Sequence, residues 1–129
     1  MLNLAFGWLW ISLGFLSGLL LGLGFHKAEF LGGYDSLRRR MVRLGHIACV
    51  MLGVLNILYF LTAEHAVLSD TEAWAVSRTF LLGGISMPLV CWLTAWKTPF
   101  RHLFFIPVAS LMYAGITLTV GMVRACGLA

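Results

Sequence analysis

The sequence predicts an all-α integral membrane protein, an antiparallel four-helix transmembrane bundle. Three observations predict it. The chain of 129 residues is 60% hydrophobic and 11% charged, against about 45–50% and about 25% in an ordinary soluble domain. Its apolar residues fall into four runs of about twenty, the length that crosses a hydrocarbon core of about 30 Å as helix. The basic residues gather between those runs rather than within them. At this length one domain, 1–129, accounts for the chain.

The first run spans about 4–25 without a charge. It lacks the basic n-region of a signal peptide and is too long for an h-region, so it is expected to stay in the membrane. Gly14, Gly18 and Gly22 form a GxxxGxxxG ridge with Ser17 beside it. In lipid, such a ridge promotes helix contact because it lets backbones approach. Trp8 and Trp10 suit an interfacial aromatic belt.

A polar, turn-rich stretch follows, GGYDSLRRRMVRLGH over residues 32–46, in which Asp35 or Ser36 is expected to cap the second helix. The second span is expected at about 42–62. On it His46, Val50, Gly53 and Ile57 share one face, with the amide of Asn56 off that stripe. Asn56 is expected near mid-membrane, bonded across to a neighbouring helix. The next connection carries Glu64, Asp70 and Glu72 but no Lys or Arg, and Ser69, Asp70 or Thr71 offers a helix cap. The third span, about 74–96, contains Arg78 one turn in and Pro88 near its middle, which predicts a kink. Thr98 as cap with Pro99 at the first helical position restarts the chain for a fourth span at about 103–123.

Lys27, Arg38, Arg39, Arg40, Arg43, Lys97 and Arg101, seven of the nine basic residues, fall on the first and third connections or their edges. The positive-inside tendency puts these connections in the cytoplasm and both termini outside, in a cell inner (plasma) membrane. The net charge of +4 therefore reads as topology beside anionic lipid and not as nucleic-acid binding. Cys49, Cys91 and Cys126 have no CxxC spacing, which implies neither a disulfide framework nor structural zinc.

For chemistry the candidates are histidines. His26 ends the first span, His46 begins the second and His102 begins the fourth, all at one depth on the basic side. Imidazole ligates iron, zinc and copper, and bundle interiors present such ligands. If the second and fourth helices face one another, His46 and His102 form the natural axial or metal pair, with His26 as alternative. Haem b is the cofactor such a pair would hold, its propionates beside nearby arginines. The competing reading is that histidine is amphipathic and suits an interface. No nucleophile–base set, phosphate-binding glycine loop or intramembrane carboxylate is present, so no enzyme activity is assigned.

Three function classes follow. The first is a structural or accessory subunit of a larger membrane complex, with lipids and other membrane subunits, or a homo-oligomer, as partners. The second is a small b-type haem electron carrier. The third is a small oligomeric exporter or channel, weakened by the lack of a buried acid.

Overall fold

The computed structural model describes residues 1–127. It contains four α-helices, α1 (Leu2–Gly24), α2 (Leu37–Thr62), α3 (Asp70–Trp96) and α4 (Phe105–Ala125), joined through 3-10 turns at Phe30–Gly32, Ala63–His65 and Thr98–Phe104. All four are long and apolar enough to cross a membrane, so the chain is a multi-pass membrane protein.

The helices pack in chain order, α1 on α2, α2 on α3 and α3 on α4. Each contact runs antiparallel. Gly7, Gly14 and Gly18 of α1 meet Gly53, Val50 and His46 of α2 in descending order, and Gly83 of α3 meets Leu111 of α4. The helix ends at Phe25, Leu37 and Trp96 thus share one basic end. The opposite end carries Glu64, Asp70, Glu72 and Arg124.

The stripe His46, Val50, Gly53 and Ile57 is the face of α2 that receives α1. At Gly7 and Gly53 the two backbones touch directly: a Cβ added to either would lie within 3 Å of the other's carbonyl oxygen. The glycine ridge is shifted from the expected one. Gly7 joins it, and Gly22 faces nothing within 4 Å. A second close approach seats Trp92 of α3 over Gly45 of α2. Further along, Tyr59 tilts against Phe80 at 5.3 Å, and with Val76 and Ala114 they form a buried cluster joining α2, α3 and α4.

Helix α2 begins about five residues earlier than expected, so the arginines stand on its first turns and not in the loop. Ser36 caps it, its hydroxyl accepting from the Arg39 N–H at 3.1 Å while donating to the Leu31 carbonyl at 2.7 Å. Long arginine side chains carry their charge away from the axis, so the basic run need not end the helix. Helix α3 likewise starts at Asp70, through a capping box in which Ser69 accepts from Glu72 N–H and the Glu72 carboxylate accepts from Ser69 N–H.

One proline expectation needs correcting. Thr98 makes no capping bond; Lys97 holds the cap position of a 3-10 segment, and α4 starts at Phe105. Pro107 then falls in the first turn of α4, where the missing N–H would have had no helical partner anyway. Helix α3 runs continuously through Pro88. Proline there frees the Gly84 carbonyl, and the indole Nε1–H of Trp10 on α1 donates to it at 2.8 Å. A neighbouring helix therefore satisfies the backbone group that lipid could not.

Candidate functional site

Among the described residues, besides the buried Thr94, whose hydroxyl has no hydrogen-bond partner, polar groups enter the apolar interior at three places. Near the acidic end, Asn56 is fully buried and Asn3 nearly so. The Asn3 amide donates to Asn56 Oδ1 at 2.8 Å and to the Ser77 carbonyl at 3.2 Å, while the Ser77 hydroxyl donates back to Asn3 Oδ1. Asn56 Nδ2 donates to the Leu52 carbonyl at 2.9 Å and reaches the Phe80 carbonyl at 3.4 Å. Asn56 thus bonds across to its neighbours as expected, though toward one end of α2 and not at its middle. Asn3 was not legible as its partner, because an asparagine at a chain start reads as an interfacial residue.

The second place is His46. Its Nδ1 lies 2.9 Å from the Gly14 carbonyl and 3.1 Å from the Ser17 hydroxyl, which itself donates to that carbonyl. Two lone pairs facing one another at that distance would repel, so Nδ1 carries a proton and donates to Gly14. The ring lies over Gly18, where a Cβ would come within 2.7 Å of Cε1.

The histidines are not brought together as the sequence suggested. His46 faces α1, whereas α4 packs on α3 and not across from α2. His26 follows the end of α1 and is exposed, and His102 is exposed in the 3-10 segment before α4. Among the described residues no group of three or more His, Cys, Asp and Glu gathers to hold a metal ion. A haem between His46 and His102 would need α2 to turn this face away from Gly14.

The third place is the basic end of α2. Arg39 is 7% exposed. Its guanidinium stacks over Phe25 at 4.7 Å and Tyr34 at 5.2 Å, and Arg43 reaches the same Tyr34 ring at 5.8 Å. The connection folds round it: Phe25 and Phe30 meet edge-on at 6.1 Å, and Leu31 takes a left-handed conformation at φ 57°. Such cation–π contacts contribute about 0.5–2 kcal/mol each. They leave the charge unneutralised: among the described residues, Nε of Arg39 has no hydrogen-bond partner, and no acid forms an ion pair with Arg38, Arg39, Arg40 or Arg43. The arginine run was plain in the sequence. Which arginine turns inward was not, since that depends on the helix phase set by Ser36 and on Phe25 and Tyr34 closing over it.

The remaining intramembrane charge, Arg78, is exposed and lies over the Trp74 ring at 5.2 Å. Of the nearby acids, Glu72 pairs with Arg124 at 3.1 Å. Compared with protein-family models, curated proteins and solved structures, the chain finds no match.

Proposed function

We propose that the chain is a small accessory subunit of a larger membrane assembly, packing and positioning other subunits. The observation that carries this reading is the one-sidedness of α4. Among the long helices it packs chiefly on α3, and its opposite face leaves Met112, Ile116 and Val120 exposed. On that face Gly115 has nothing within 4 Å, in a shallow groove of about 340 Å³ between Met112 and Thr119. A small residue among bulky ones lets a further helix approach closely. The test is native-state sizing in mild detergent of the chain extracted from its own membranes. Its protein mass, with bound detergent subtracted, is expected to exceed 14.3 kDa, with Ile116→Trp releasing it and Leu20→Trp on α1 not. Migration as a monomer, or indifference to Ile116→Trp, refutes the reading.

The seven basic residues at one end support an inner-membrane orientation with that end in the cytoplasm and both termini outside. In a cysteine-free background, single cysteines at Asp35 and Glu64, both exposed and neither a helix cap, are expected to label from opposite faces, Asp35 from the cytoplasmic one. Labelling of both from one face ends this topology.

A b-type haem carrier is the second reading, supported by His46. Its Nδ1–H on a backbone carbonyl, with no partner at Nε2 among the described residues, is how ligating histidines are oriented. A Soret band in the purified protein that shifts on reduction and is lost in His46→Ala but kept in His65→Ala would establish it. Its absence after haem supplementation leaves the accessory role.

A further inference from the structure

Helix α2 carries a second surface that the accessory role does not use. Arg40, Arg43, Leu44, Ile47 and Met51 follow at spacings of three and four, so they share one face. Arg40 and Arg43 flank a cleft of about 270 Å³ floored by Leu44 and Ile47. The same Leu44 and Ile47 continue into a groove of about 410 Å³, walled by Met51, by Met87 of α3 and by Phe104. The upper cleft is basic and the lower groove is lined by apolar side chains alone.

We propose that this face binds an anionic phospholipid, its headgroup phosphate between Arg40 and Arg43 and one acyl chain in the groove below. Charge complementarity selects the occupant. No acid stands in the first turn of α2, no ion pair engages either arginine among the described residues, and the N-terminus of the helix adds positive potential of its own. Arg39, on the same turn and almost wholly buried, adds a charge whose Nε has no partner among the described residues. A buried, unpaired cation is costly, and a phosphate nearby lowers that cost. The continuous apolar groove separates a lipid from a soluble phosphate, which would leave it empty. A wholly apolar protein helix would fill the groove but bring no charge to the arginines.

The test uses the full chain, delipidated in detergent, with thermal unfolding followed as lipid is added. Dioleoyl phosphatidylglycerol is expected to raise the melting temperature saturably. Dioleoyl phosphatidylcholine, with the same chains, and inorganic phosphate are expected not to. The double variant Arg40→Gln/Arg43→Gln removes two exposed charges, and its lipid-free melting checks that it folds. It is expected to bind phosphatidylglycerol about 30-fold more weakly, on the order of fivefold per arginine. Ile47→Trp, which fills the groove, is expected to weaken binding with both arginines present, and Arg38→Gln, outside the cleft, to change it less than either. Equal stabilisation by phosphatidylcholine, displacement by inorganic phosphate, or an Arg38→Gln effect as large as the double variant's overturns the proposal.

Discussion

Gly53→Leu is expected to destabilise the detergent-solubilised protein by about 3 kcal/mol, the upper end of what overpacking costs. The clash is with backbone: a Cβ on Gly53 would lie 2.8 Å from the Gly7 carbonyl oxygen and 3.1 Å from the Ile11 nitrogen. The Ile11 side chain, whose Cγ1 is also 2.8 Å away, can turn aside, but these backbone atoms cannot, so α1 must move away from α2. That movement strains every contact on the stripe, including His46 at Gly14 and Val50 at Gly14. It also draws Trp10 from the Gly84 carbonyl and leaves that group unsatisfied in an apolar interior. Gly22→Leu is the matched control. With nothing within 4 Å of its Cβ position, it is expected to leave stability unchanged or to raise it slightly through helix propensity. Chemical unfolding of the two variants beside the parent checks both. Equal stability of Gly53→Leu and the parent would mean that α1 and α2 do not cross here.

The contrast between Gly53 and Gly22 also marks what a sequence of this kind discloses. The spans, their antiparallel order and the stripe from His46 to Ile57 were readable, because lipid imposes length and small residues stand out on apolar helices. The partner of that stripe was not. In a soluble bundle the apolar face points inward, but lipid and helix interior are equally apolar, so periodicity cannot tell one neighbour from another. The expectation that α2 faces α4 across an interior met that limit, and with it the pairing of His46 and His102. The same limit hid Arg39. Three consecutive arginines are alike as residues, and the difference between Arg39 under Tyr34 and Arg40 beside an open cleft comes only from about 100° of rotation per residue along the helix. Pro88 was readable as a break in the bonding of α3. The indole that repairs it lies 74 residues away, beyond any local pattern.

The second large effect is expected where α1, α2 and α3 are tied together. Asn56→Leu nearly preserves volume, so its cost is the lost hydrogen bonding, about 2 kcal/mol for a buried amide whose partners stay behind. The Phe80 carbonyl loses its 3.4 Å contact and Asn3 loses the 2.8 Å acceptor that fixes its amide. Asn3→Leu is expected to cost a similar amount, since it also leaves the Ser77 hydroxyl without its acceptor. The two losses share one bond, so they cannot add. The double variant is expected to be more stable than the sum of the singles by about 1 kcal/mol, within the range of about 0.6–1.7 kcal/mol for interhelical bonds in membrane proteins. Reversible unfolding of the four proteins closes the cycle. Strict additivity would mean that Asn3 and Asn56 do not bond one another, and that α1 is held to α2 by its glycine contacts and by His46.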